Sequence, residues 1–398
     1  MKKLFMTALL CGATSLMFAQ SNVSDITTIG NDNDVHVDQT GTNNDSDVVQ
    51  DATGAWVAPA DNNDADVDQD GMNNKSDIFQ GGDRNEATAD QFGNDNDSKQ
   101  HQALHHSDNE AVATQVGDNN RSRQSQWSTD NDAFATQTGV YNRSTQTQTV
   151  GGLNTAHVTQ TDGMAGGNAV DYNDSRQIQV GANNMSTVTQ TGDNNNNNAG
   201  WPLTLVWNTQ EGDNNSETIS QSGDNHNNAS FQLGDYNILN VNQFNGDGNE
   251  SISRQTGDKN RVDVTQSGSG NESDSAQDSS GYPGSASLIT NYYGVGQYGN
   301  NNESNSDQTG HFNANDVLQV GNDNTSELFQ DGVNVKSIAK QYGDDNLSDV
   351  NQQGTGHRSD ILQTGNVNKA WITQTDGTHV NTVIQTGGMN KAWVNQSN

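Results

Sequence analysis

The stretch Asn33-Asp34-Val35-His36-Val37-Asp38-Gln39-Thr40-Gly41-Thr42-Asn43-Asn44 sets the pattern for the whole chain. Asn33, Val35, Val37, Gln39 and Gly41 share one parity, and Asp34, His36, Asp38 and Thr40 the other. A period of two predicts a strand with one buried face. Gly41 and the asparagines after it predict a tight turn, because Gly and Asn accept positive φ. The phrase returns as Gln91-Phe92-Gly93-Asn94-Asp95-Asn96, Gln137-Thr138-Gly139-Val140-Tyr141-Asn142 and Gln363-Thr364-Gly365-Asn366-Val367-Asn368.

Its glutamines keep one register. Gln39 and Gln50 lie eleven residues apart, as do Gln69, Gln80, Gln91 and Gln102, and the series runs on to Gln396. A fixed period over nearly the whole chain predicts one unit stacked on itself. Four residues before the register glutamine, Ala and Ser alternate, as in Ala65, Ser76, Ala87, Ser98, Ala111 and Ser122. Two residues before it, Gln100, Gln124, Gln146 and Gln177 alternate with Ala113, Ala135, Val158 and Val188. Odd and even units therefore occupy different walls. The expected fold is all-β, a solenoid of about fifteen 22-residue strand-turn-strand rungs in two parallel sheets. Such a cross-β stack is amyloid-competent and roughly 70 Å long. Its interior holds Val, Ile, Ala and Ser, with ladders of inward Gln and Asn whose amides satisfy one another.

Composition agrees with a thin interior. Hydrophobic residues make up 29% of the 398, too few for an ordinary globular core. The formal charge is −33, and removing Lys2 and Lys3 takes it to −35. Nucleic acid is a poor partner for that surface. Lys2, Lys3 and the apolar run to Phe18 predict a signal peptide over residues 1–19. No later segment is apolar enough to insert into a membrane. Cys11, the single cysteine, falls inside that peptide, so disulfides are not expected to stabilise the mature chain. A short leader is read at 20–26 and repeats over 27–398, with loop insertions near 51–62, 103–108, 161–172, 195–204 and 278–292. All three prolines, Pro59, Pro202 and Pro283, lie in these insertions, where no ladder hydrogen bond is lost.

The unit resembles the curlin repeat of curli, the secreted amyloid fibres of bacterial biofilms. That repeat is Ser, five residues, Gln, four residues, Asn, five residues, Gln, with Gly two places after the first Gln. Gln39, Gly41, Asn44 and Gln50 match it, as do Gln80, Gly82, Asn85 and Gln91, and Gln308, Gly310, Asn313 and Gln319. Gln137, Gly139 and Asn142, and Gln363, Gly365 and Asn368, repeat the same phrase. The resemblance implies a fibre subunit that polymerises with itself, with a nucleator subunit and an outer-membrane secretion pore as partners. The chain departs from the family in three ways. Asn usually replaces the Ser, as at Asn33 and Asn85; there are more rungs than the usual handful; and the leader is short.

Chemistry has little purchase here. His101, His105 and His106 cluster without cysteine, and no nucleophile elbow appears, so neither a metal, a cofactor nor an enzyme activity is expected. Outward threonines such as Thr136/Thr138, Thr159/Thr161 and Thr189/Thr191 raise ice binding as an alternative, and a monomeric surface adhesin is another. Trp371 and Trp393, 22 residues apart with outward parity, form a candidate docking face or a stiffening stack. No terminal cap is evident, so addition of a like rung at an open edge is the expected mode of assembly.

Overall fold

The computed structural model describes residues 21–51, 60–102, 107–161, 173–197, 208–279 and 291–397. The expected signal peptide lies outside them, as do His105, His106 and the greater part of each insertion. Among the described residues every element is a strand, and all strands belong to two sheets of 17 and 15. Successive strands alternate between sheets, except that Asn196–Asn197 and Asn208–Glu211 follow one another in the same sheet, and all pairings are parallel. Asp34–Thr42 pairs with Asp64–Met72, placing Gln39 on Gln69, while Asp45–Gln50 pairs with Lys75–Gln80, placing Gln50 on Gln80. We call the sheet that holds Gln50 the long wall and the one that holds Gln39 the short wall. On the long wall Asn196–Asn197 and Asn208–Glu211 share a level, since both pair with Asp174–Val180. Its 17 strands thus make sixteen levels against fifteen on the short wall.

The stack begins earlier than the sequence indicated. Val23–Thr28 pairs with Asp45–Gln50 from Val23↔Asp45 to Thr28↔Gln50, so most of the stretch read as a leader is a long-wall strand. It escaped notice because Thr28 stands where every later unit has the register Gln. The stack also reclaims edges of the insertions: Asn196–Asn197 is a strand, Glu272–Asp278 ends at Asp278, and Asn291–Tyr298 begins at Asn291.

Parity decides burial. Along Glu110–Asp118 the inward Ala111, Ala113 and Gln115 are buried, while Val112 and Thr114 are half-buried and outward. The walls share the interior by volume: Gln100 and Gln124 of the long wall lie against the small Ala111 and Ala133 of the short wall, bonding their carbonyls at 3.1 and 2.8 Å. From Val158 onward an aliphatic core that includes Val188, Ile219, Leu239, Val264, Leu328, Val350 and Ile372 fills the interior, with the long-wall amides of Gln177 and Asn208 still buried beside its first rungs. Residues of complementary size on facing positions keep the slot filled without strain.

Most corners are made by two left-handed residues, a Gly two places after the register Gln and a second residue four places after it. At one corner these are Gly310 (φ 101°) and Phe312 (φ 59°). A Cβ on Gly310 would sit 2.0 Å from the carbonyl oxygen of Gly332 in the next rung. Only Gly fits both the dihedral and the close approach. Gly82 is an exception, because the left-handed residue of its corner is Arg84 alone. Gly310→Ala is expected to lower stability by more than about 1 kcal/mol in urea unfolding, whereas Gly82→Ala is expected to cost clearly less.

Candidate functional site

The register glutamines form the continuous feature of the molecule. On the short wall each Nε2 donates to Oε1 of the glutamine one rung on: Gln39 to Gln69 at 2.8 Å, Gln91 to Gln115 at 2.9 Å, Gln137 to Gln160 at 2.8 Å, Gln319 to Gln341 at 3.0 Å and Gln363 to Gln385 at 2.9 Å. The same amide also donates across the interior, as from Gln137 to the Arg121 carbonyl at 3.0 Å and from Gln363 to that of Leu347 at 2.9 Å. One side chain thereby ties rung to rung and wall to wall. The long wall repeats the device from Gln50 to Gln80 (3.0 Å) and from Gln102 onward, through Gln308 to Gln330 (3.1 Å), as far as Gln374 to Gln396 (2.8 Å). It is interrupted once: Gln80 spends its amide on the Asp64 and Asn85 carbonyls, leaving the buried Gln102 Oε1 without a donor. Gln50 Oε1 is also buried without a donor, because Thr28 below it has no amide.

Inward asparagines run up both corners. Asn44 Oδ1 accepts the Asn74 main-chain N–H at 3.0 Å, and Asn142, Asn368, Asn85 and Asn313 act alike toward Asn173, Asn390, Asn109 and Val335. In the Asn142–Asn173 step the donor is the side-chain amide. Their own amides close the corner on glycine or threonine carbonyls, as Asn368 does on Gly387 at 2.9 Å. Three histidines take asparagine positions. His226 Nδ1 accepts from the Asn249 N–H and His357 Nδ1 from that of His379, each at 3.3 Å. That role needs a neutral ring, and burial pushes His226 below the usual histidine range. Among the described corners only Val335 has no polar group to offer; there the neighbouring Asn334 holds the left-handed position (φ 58°).

One interior group was missed from sequence. Glu217 occupies the slot four before Gln221, where neighbouring short-wall units have Ser186 and Leu239. It is buried, bonded by Ser186 Oγ at 2.7 Å and by Ser230 Oγ, with no cation among these contacts. Burial pushes its carboxyl well up. The signal was available, since acid in an Ala/Ser/Val slot breaks the repeat.

The outer faces carry like-charge columns. Asp34, Asp64, Glu86, Glu110 and Asp132 stack on the short wall, beside Asp38, Asp68 and Asp90. Burial, then Asp38, Asp66 and Asp70, raise the Asp68 carboxyl; burial, then Asp66 and Asp68, raise that of Asp90. Among the described residues no group of three His, Cys, Asp or Glu is placed to hold a metal ion. His101 instead stacks on Phe79 at 4.8 Å between ring centroids. The paired threonines Thr136/Thr138, Thr159/Thr161 and Thr189/Thr191 do align, but for three rungs only, with Ser220/Ser222 next in line. Trp371 and Trp393 stack outward, 5.0 Å apart and 8° from parallel.

Two stretches, 71–99 and 343–375, match the family model described as the curlin associated repeat. No curated protein matches the chain.

Two outcomes follow from the interior. Gln319→Leu removes the donor to Gln341 Oε1 and is expected to cost about 1–3 kcal/mol in urea unfolding. For Glu217 the raised folded value means that stability is fullest below the unfolded carboxyl range and is lost as pH rises through the folded value. Glu217→Gln should therefore raise the melting temperature at pH 7 and flatten its dependence on pH above about 4.5.

Proposed function

We propose that this curlin-repeat protein is a secreted structural subunit whose copies join end to end into extracellular, curli-like cross-β fibres of a bacterial matrix, supporting adhesion and cell aggregation. The family resemblance and the repeat match bring the fibre into view. The observation that carries the reading is that, among the described residues, nothing covers either end of the stack in full. At one end the inward Val35, Val37 and Gln39 are only partly covered; at the other, Ala392, Val394 and Gln396. A further rung of like sequence would cover them and extend every ladder. Trp393, 68% exposed, and Ile384, 67% exposed, enlarge the apolar surface at the second end, and Trp393 would be part of the docking face.

Nothing in this mechanism asks for a cofactor or a catalytic group. Self is the essential partner; a nucleator and an outer-membrane pore belong to the same reading. Electron microscopy with fibre diffraction on the mature protein tests it. Fibres with reflections near 4.8 Å along the axis are expected, and a rod that stays monomeric at every concentration would sink it in favour of a surface adhesin.

The carboxylate columns set the conditions for growth. Asp47, Asp68, Asp90, Glu110 and Glu272 are all raised, burial first, then acidic neighbours. Raised acids favour the stacked state at low pH and oppose it as pH climbs through their folded values. Thioflavin-monitored lag times should therefore shorten as pH falls from 7 toward about 4.5, and with added salt.

A further inference from the structure

Resting on the end-to-end reading, we propose that the first strand, Val23–Thr28, is a provisional cap, displaced by the last strand of the neighbouring copy when two copies join. The wall count raises the problem. Sixteen long-wall levels against fifteen short-wall levels mean that the described stack starts and stops on the same wall. If the last strand, Lys391–Ser397, is laid on an intact first strand of the next copy, the long wall continues. On the short wall, however, Val380–Thr386 then faces Asp34–Thr42 across two levels, about 10 Å, with a strand's worth of peptide groups unpaired on both edges. If instead the first strand leaves, Val380–Thr386 pairs directly with Asp34–Thr42 and Lys391–Ser397 with Asp45–Gln50. The chain order of walls then runs through the junction without a gap.

Three independent features of the first strand fit its removal. It leaves Gln50 Oε1 buried without a donor, and Gln396 of the incoming strand points its Nε2 the right way, since every glutamine-to-glutamine bond of the ladders donates toward higher residue numbers. The like-charge contact Asp25 on Asp47, beside Asp45, would be exchanged for Lys391 over Asp45 and Trp393 over Asp47. All six of its residues are exposed, including the inward Ile26, whereas Val394 would bring a Val onto Val48. Asn22, which accepts the Asn44 N–H at 3.1 Å, would be succeeded by Asn390, next in the same corner ladder. On the short wall Gln385 would meet Gln39, so both glutamine ladders continue.

Cysteine pairs separate the two junctions. Aligned positions on paired parallel strands lie about 4.8 Å apart, within reach of a disulfide. The double variants Asn395→Cys/Val49→Cys and Asn395→Cys/Thr27→Cys are each grown into fibres under reductant and then oxidised. Covalent ladders on a non-reducing gel are expected from the first pair and are expected to be lost in the second. Ladders from the Thr27 pair, from both pairs, or from neither while the unsubstituted protein forms fibres would overturn the inference and leave end-to-end growth standing. An unsubstituted protein that forms no fibres would remove the reading on which it rests. Thr28→Gln supplies the missing donor to Gln50 and should slow elongation by about tenfold, the effect of one net hydrogen bond. Deleting residues 20–29 from that variant should restore the rate, and an unchanged Thr28→Gln rate would count against the cap.

Discussion

A buried primary amide has two hydrogens to place and an oxygen to supply, and this molecule is organised around that demand. An isolated Gln in an apolar slot would be costly. Stacked at the inter-strand spacing, a ladder Gln such as Gln137 gives one hydrogen to its successor and another to a carbonyl on the opposite wall, Gln80 being the exception. The requirement fixes rung height, register and the close approach of the walls together. It also explains a chain with few hydrophobic residues: the polar interior is closed by repetition, and the aliphatic cluster from Val158 to Val383 fills the space the amides leave.

Much of this was legible because repetition averages out local ambiguity. Alternating parity gave the strands, and Ala against Ser at one slot gave two walls, as the pairing of Ala111 on Ala133 and Ser122 on Ser144 bears out. What escaped were the places where one copy of the pattern is altered while the backbone stays. The first strand lacks its Gln, so pattern matching missed it although its main chain pairs as well as any other. Glu217 sits in an interior slot that a count of acidic residues assigns to the surface. The break between Gln80 and Gln102 is invisible in sequence, because both residues obey the repeat and only the amide's choice of acceptor differs.

The surface follows a different rule from the interior. Stacking identical rungs brings like charges into columns, so burial and acidic neighbours act in the same direction on Asp47, Asp68 and Glu272. Pairs such as Arg84 with Asp108, at 2.6 Å, relieve this locally but are exposed and contribute little. The interior gains from likeness between neighbouring rungs, while the outside is penalised by it.

The uniform sense of the glutamine bonds reaches beyond cohesion. Fourteen successive short-wall amides, from Gln39 to Gln363, all donate in one direction, so their dipoles add along the axis instead of cancelling. The rod is a one-way track, with acceptor oxygens facing out at its beginning and N–H groups at its finish. A filament built on this rule has a front and a back, and a subunit arriving reversed would set donor against donor at the seam.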